Sequence, residues 1–143
     1  KWIEDTLSAG FTIVCDRYWL SGTVYSIAKN NPSLNLQWAQ NSDIGLPCPD
    51  ATIFLDLDPL EAERRAGYGT ERYEKKEFQE RIRSLFLNIF SSSLPGANAH
   101  VIDASSPVEI VESQIFDAIN DILRSVTSIS TTSNIKRVQR LVY

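Results

Sequence analysis

Three short apolar segments without hydrophobic alternation constrain the fold of this chain most strongly. They are Phe-Thr-Ile-Val-Cys at residues 11–15, Ala-Thr-Ile-Phe-Leu-Asp-Leu at residues 51–57 and His-Val-Ile-Asp at residues 100–103. A strand that is apolar at successive positions is typical of a parallel sheet, which is covered on both faces. Residues 78–90 and 108–122 carry apolar side chains at the helical period. We therefore predict an α/β fold, a three-layer parallel sheet with helices on both faces.

The composition of the chain excludes some classes of partner. The net charge is −4 and the isoelectric point is about 5.0, which argues against nucleic acid or an anionic membrane surface as a bulk partner. Cys15 and Cys48 show no metal-type spacing and are typical of free thiols in a reducing compartment. We therefore expect a cytoplasmic protein, with the nucleus as a second location, that binds neither nucleic acid nor membrane.

Charged residues directly follow the first apolar segment. Asp16 and Arg17 stand at its carboxyl end, and the ligands of parallel sheets bind beyond the carboxyl ends of the strands. The planar guanidinium of Arg17 suits phosphate oxygens. An internal ion pair between Asp16 and Arg17, or with a neighbouring residue, would explain the same residues, so the pattern leaves both interpretations open.

A second charged cluster lies between two predicted helices, one from Pro59 to about Arg65 and one over residues 78–90. Residues 64–74 read Arg-Arg-Ala-Gly-Tyr-Gly-Thr-Glu-Arg-Tyr-Glu. A mobile lid that closes over phosphates has this composition, with the glycines permitting the movement. A solvated loop with surface ion pairs has it as well.

Taken together, four motifs resemble the thymidylate kinase family. They are Asp-Arg-Tyr-x-x-Ser-Gly-x-x-Tyr from Asp16, Pro-Asp-x-x-x-x-Leu from Pro49, Glu-Arg-Tyr-Glu from Glu71 and Phe-Gln-Glu-Arg from Phe78. The likeness runs over residues 6–123 in unbroken order, and residues 43–47 look like the eukaryotic branch. The resemblance implies the fold of the P-loop nucleoside monophosphate kinases. It also implies the reaction of ATP with dTMP to give ADP and dTDP, a step of dTTP synthesis.

The same resemblance assigns roles at the end of the first apolar segment. Arg17 would hold the dTMP phosphate and the migrating phosphoryl group, and Asp16 would orient Arg17 and the phosphate or metal-water shell. Ser21 and Gly22 would lie along the thymine, and Tyr25 would pack beside it.

Other roles fall later in the chain. Tyr73 would sit against the sugar, where a ribose hydroxyl would clash, and Gln79 would help to close the dTMP site. The residues implied for ATP and for a lid at about residues 66–76 are Arg65, Glu71, Arg72 and Ser105. The expected partners are ATP and dTMP, with Mg²⁺ as the cofactor that accompanies ATP and no metal site made of protein alone. A homodimer is expected for the full-length form.

The chain also departs from the family pattern. It has no Gly-x-x-x-x-Gly-Lys-Ser/Thr loop, whose backbone N–H groups cradle ATP phosphates. We therefore expect a partial kinase domain at residues 1–124, incomplete at its N-terminus and inactive alone, followed by a flexible Ser/Thr-rich tail at residues 125–143. Two alternatives stay open: a non-catalytic remnant that binds nucleotide or a partner, and another deoxynucleoside or nucleotide kinase.

Overall fold

The computed structural model describes residues 1–65, 76–91 and 98–129 together with Val138. These residues form two compact units. The first contains residues 1–49 and Val138, and the second contains the described residues from 50 to 129.

The first unit is built from three helices: α1 (Trp2–Ser8), α2 (Trp19–Ala28) and α3 (Leu36–Asn41). Gly10 follows α1 with φ of +86°, the left-handed conformation that glycine adopts at helix ends. Asn35 begins α3, since its side-chain oxygen accepts a hydrogen bond of 2.8 Å from the backbone N–H of Trp38.

The core of the first unit lies where α2 packs against α3. Its α2 face consists of Trp19, Leu20, Thr23, Val24 and Ala28, all buried. Val138 is buried in the same unit, with 3% of its surface exposed. It exchanges two backbone hydrogen bonds with the loop after α3, accepting from Gly45 N–H (3.1 Å) and donating to the Leu46 carbonyl (2.8 Å).

One predicted strand is wrong. Residues 11–15 form no strand, and Phe11 and Val14 are 65% and 91% exposed. An apolar run resembles a buried strand in sequence, but a strand is defined by a hydrogen-bonded neighbour, and this segment has none among the described residues.

The second unit contains the sheet. Strand β1 (Thr52–Asp56) leads into α4 (Pro59–Glu63), and α5 (Lys76–Ser91) precedes β2 (Ala99–Asp103) and α6 (Val108–Ile129). β1 and β2 pair in parallel. Both strands and the helices α4, α5 and α6 confirm the elements predicted from the sequence, and the α/β class with a parallel sheet flanked by helices is confirmed with them.

Helix α5 packs on β1 through aromatic rings. The Phe54 ring of β1 lies 5.0 Å from the Phe86 ring and 5.3 Å from the Phe90 ring, centroid to centroid. Helix α6 packs on β2, where Ile102 is buried. Because α6 continues to Ile129, residues 125–129 of the predicted tail are helical. Of the remaining tail residues, only Val138 is described.

Candidate functional site

An open cleft of about 360 Å³ lies at the N-terminal end of α2. Its walls come from Arg17, Tyr18, Ser21, Gly22 and Tyr25. Residues 18, 21, 22 and 25 follow the i, i+3, i+4, i+7 spacing, so they share one helix face while the opposite face of α2 is buried. The structure thus brings together four of the residues that the resemblance assigns to dTMP.

Arg17 has an unusual backbone conformation. Its φ of 63° lies in the left-handed region, which a non-glycine residue seldom adopts. Such conformations cost about 1–3 kcal/mol and cluster at functional sites. The guanidinium carbon of Arg17 lies 5.3 Å from the centre of the Tyr25 ring, within the range of a cation–π contact.

Asp16 is exposed beside Arg17 but does not pair with it. Asp16 and Arg17 are both described, and no ion pair joins them. The interpretation of these two residues as an ion pair with each other is therefore wrong, while a pair with a neighbouring residue stays untested. The guanidinium of Arg17 lies over the Tyr25 ring instead.

Tyr18 is a cleft residue that the sequence reasoning missed. Its hydroxyl donates a hydrogen bond of 3.0 Å to the Pro47 carbonyl. This bond connects the N-terminal end of α2 to the loop after α3. The first motif could have identified Tyr18 as a site residue, because Tyr18 is its third residue.

Gly22 has no packing reason to be glycine. Its φ is not in the left-handed region, and a Cβ built on it meets no atom within 4 Å. Glycine inside a helix costs about 0.5–1 kcal/mol relative to alanine. The free space over Gly22 therefore suits close approach of a ligand to the helix backbone.

A second group of predicted residues meets after β2, in the second unit. Nη2 of Arg65 donates a hydrogen bond of 2.6 Å to the Ala104 carbonyl. The next backbone N–H, that of Ser105, donates to Oδ1 of Asp103 at 2.9 Å. Two of the residues expected for ATP, Arg65 and Ser105, thus lie at one turn.

That turn favours the ionised form of Asp103. Hydrogen bonds from the side chain and then the backbone of Ser105 lower the pKa of the Asp103 carboxyl below its ordinary value. A carboxylate in this state accepts hydrogen bonds and does not donate one.

Asp56 ends β1 at the same edge of the sheet. Its two carboxylate oxygens accept hydrogen bonds from Nε and Nη2 of Arg83, at 2.5 Å and 2.9 Å. Arg83 also lies 3.7 Å from a carboxylate oxygen of Asp58, and Asp56 raises the pKa of its guanidinium. This ion-pair cluster was not predicted from the sequence.

The remaining predicted residues divide into two groups. Gln79 is half-buried in the first turn of α5. Glu71, Arg72 and Tyr73 lie outside the described residues, and of the predicted lid only Lys76, the first residue of α5, is described.

The described residues contain no group of three His, Cys, Asp or Glu side chains placed to hold a metal ion. Magnesium bound with a nucleotide takes one or two carboxylates in addition to phosphate oxygens. The exposed carboxylate of Asp16 beside Arg17 fits such a role.

In the same described part of the chain, no helix has the length and apolar character needed to cross a membrane.

Comparisons with known proteins show which family this chain resembles. The family model described as thymidylate kinase matches residues 1–115. The thymidylate kinase of Schizosaccharomyces pombe is 39% identical over 123 residues, which are 85% of this chain and 57% of the relative. The human thymidylate kinase is 38% identical over 87% of this chain and 57% of the relative, and the Arabidopsis thaliana protein is 36% identical over 87% and 44%.

A solved structure shows the same fold. The thymidylate kinase of Candida albicans superposes with a TM-score of 0.64 and 28% identity, over 86% of this chain and 59% of that one. The chain spans about half the length of the curated relatives that it matches. Its fold is that of the P-loop nucleoside monophosphate kinases, with a parallel sheet between helices. Since the family model covers most of its residues, the chain belongs to the thymidylate kinase family.

Proposed function

We propose that this protein transfers the terminal phosphoryl group of ATP to dTMP. An oxygen of the dTMP phosphate bonds to the γ-phosphorus of ATP while the bond from that phosphorus to the β-phosphate oxygen breaks, so the products are dTDP and ADP. The cleft around Arg17 supports this proposal most directly. In it a guanidinium lies beside a hydroxyl, an open glycine and an aromatic ring that share one face of α2.

Each part of the cleft suits one part of dTMP. The guanidinium of Arg17 presents donors to phosphate oxygens and neutralises charge as two polyanions approach each other. The open space over Gly22 admits a flat base, against which the Tyr25 ring packs and to which the Ser21 hydroxyl bonds. Phosphoryl transfer depends mainly on such positioning and electrostatics.

ATP is proposed to bind near the turn after β2. There the guanidinium of Arg65 lies beside Ala104 and Ser105, placed to cover a purine ring. Mg²⁺ carried by ATP would neutralise the phosphates. Asp16 keeps the role toward the phosphate or the metal-water shell that the family resemblance gives it, as a prediction. Glu71, Arg72, Tyr73 and Gln79 keep the roles that the family resemblance gives them, as predictions.

Two properties of the whole protein belong to the same proposal. It forms a homodimer, which light scattering after size exclusion measures. It works in the cytoplasm and the nucleus, where dTTP is made and used, and imaging of the tagged endogenous protein tests this. An enzyme that is active as a monomer would refute the proposed homodimer but would leave the proposed reaction unaffected.

A substrate panel tests the reaction. Protein expressed from its complete coding sequence is supplied with ATP, Mg²⁺ and one monophosphate at a time: dTMP, the ribose form of TMP, dCMP or AMP. We expect dTDP as the main product and slower turnover of the other three. Preferred turnover of dCMP or AMP would indicate a different nucleotide kinase, and no turnover of any monophosphate would contradict the proposal.

A further inference from the structure

Asp56 and Arg83 form a two-point contact between β1 and α5. Nε and Nη2 of the Arg83 guanidinium donate hydrogen bonds to the two carboxylate oxygens of Asp56, at 2.5 Å and 2.9 Å. The side chains are 35% and 19% exposed, so solvent screens the pair only partly. Two parallel hydrogen bonds fix the direction of the guanidinium as well as its distance, which a single contact does not do.

The packing shows which way α5 runs over β1. Phe54, in the middle of β1, contacts Phe86 and Phe90, while Asp56, at the end of β1, contacts Arg83. Residues later in β1 therefore contact residues earlier in α5, so α5 runs antiparallel to β1. Its N-terminal turn accordingly points past the carboxyl end of the strand.

Gln79 stands on the same helix stripe. It precedes Arg83 by four residues, and residues four apart lie one above the other on a helix. The rise of about 1.5 Å per residue places Gln79 about 6 Å beyond Arg83 along the helix axis. Arg83 thus contacts the end of β1 about one helical turn after Gln79.

Arg83 also reduces the charge repulsion between two aspartates at the carboxyl end of the sheet. Asp56 pairs in register with Asp103, and parallel neighbours lie about 4.8 Å apart with their side chains on the same face. The guanidinium neutralises one of these two carboxylates, and the Ser105 N–H bonds the other. The contacts of Phe54 with Phe86 and Phe90 already hold the C-terminal half of α5 on the sheet. The ion pair at the end of β1 therefore orients the N-terminal part of α5 more than it stabilises the fold.

We propose that Arg83 is a positioning residue: through its two-point bond to Asp56 it fixes the first turns of α5 and thereby the position of Gln79, the residue of this helix that the family resemblance assigns to dTMP. The role of Gln79 rests on the proposed function. The fixing of α5 does not, and it is measured separately.

The experiment combines kinetics with hydrogen exchange, on protein expressed from its complete coding sequence. Arg83→Gln should raise the KM for dTMP about tenfold, toward the roughly 100-fold that a 1 Å misplacement costs, and leave the KM for ATP unchanged. Arg83→Lys keeps the charge but not the two-point geometry, and should give a smaller rise. Arg124→Gln is the matched control, since Arg124 is 81% exposed and pairs with Asp121 within α6.

A double-mutant cycle tests whether Arg83 acts through Gln79. In a Gln79→Ala background, Arg83→Gln should add no further rise in the KM for dTMP, because the group that it positions is gone. Additive effects would overturn the positioning role. So would a KM for dTMP in Arg83→Lys equal to that of the unchanged protein, a result available even if Arg83→Gln fails to fold.

Hydrogen exchange separates this proposal from the proposed function. In Arg83→Lys, the amides of residues 76–82 should exchange faster, while those of residues 86–91, held by the Phe54 contacts, should not change. Unchanged exchange at residues 76–82 would overturn the fixing of α5 whatever the activity. A wild-type protein that turns over no dTMP would instead overturn the proposed function and with it the assignment of Gln79.

Discussion

The guanidinium carbon of Arg17 lies 5.3 Å from the centre of the Tyr25 ring. Arg17 has a left-handed backbone conformation just before α2, and Tyr25 lies about two helical turns further along the chain. The ring both supports the arginine and forms the wall of the cleft. A cation–π contact of this kind contributes about 0.5–1 kcal/mol at an exposed site. The contact therefore orients Arg17 without using the hydrogen-bond donors that a phosphate needs.

The first prediction concerns this contact. Tyr25→Leu removes the ring face and should lower kcat/KM for dTMP about three- to tenfold, because Arg17 loses its support and the base loses its packing surface. Tyr25→Phe keeps the ring and should have a smaller effect. Steady-state kinetics measures both, and equal losses in the two variants would show that the ring face has no role.

The second prediction separates stability from binding at Gly22. Gly22→Ala should raise the free energy of unfolding by about 0.5–1 kcal/mol, since alanine suits a helix and its Cβ meets no atom. The same methyl group occupies the space proposed for thymine, so the KM for dTMP should rise about tenfold or more.

Gly45→Ala is the matched control for that variant. Gly45 has φ of +89° with equally open surroundings, so alanine there should destabilise the protein, because its Cβ is strained in the left-handed region. Thermal melting gives the stabilities. A Gly22→Ala variant that is more stable and binds dTMP normally would place the base elsewhere.

The third prediction tests the turn after β2. Arg65→Ala should raise the KM for ATP about fivefold or more, through loss of the guanidinium plane held at the Ala104 carbonyl. The adjacent Arg64 provides the control, because it is exposed and pairs with Glu61 within one turn. Arg64→Ala should leave the KM for ATP unchanged, and equal effects at the two positions would count against an ATP site at this turn.

The fourth prediction concerns the pH dependence of Asp103. The hydrogen bonds from Ser105 lower its pKa in the folded state. Its contribution to stability is therefore present above the unfolded value of about 3.9 and is lost as the pH falls through the folded value. Ser105→Ala removes the side-chain bond but keeps the backbone bond, so the pKa of Asp103 should rise part of the way back. A carboxyl carbon titration by NMR measures it, and an unchanged pKa would show that the Ser105 hydroxyl does not act on Asp103.

How far the sequence predicted this structure depends on the kind of signal. β1, α5 and α6 were predictable because apolar periodicity and their flanking residues agree. Residues 11–15 were not, since a strand requires a neighbour that periodicity cannot show. The cleft on α2 followed from one motif at helical spacing, but the ion pair of Asp56 with Arg83 joins residues 27 positions apart, and no local pattern connects them.

The account depends above all on Arg17. The most direct test measures dTDP formed from ATP and dTMP by the protein expressed from its complete coding sequence, beside Arg17→Ala and the control Lys29→Ala, which removes an exposed cation just after α2. We predict that Arg17→Ala lowers kcat/KM for dTMP at least about 100-fold, while Lys29→Ala keeps the wild-type rate. Wild-type turnover in Arg17→Ala would contradict the central claim that the cleft on α2 holds the phosphate of dTMP.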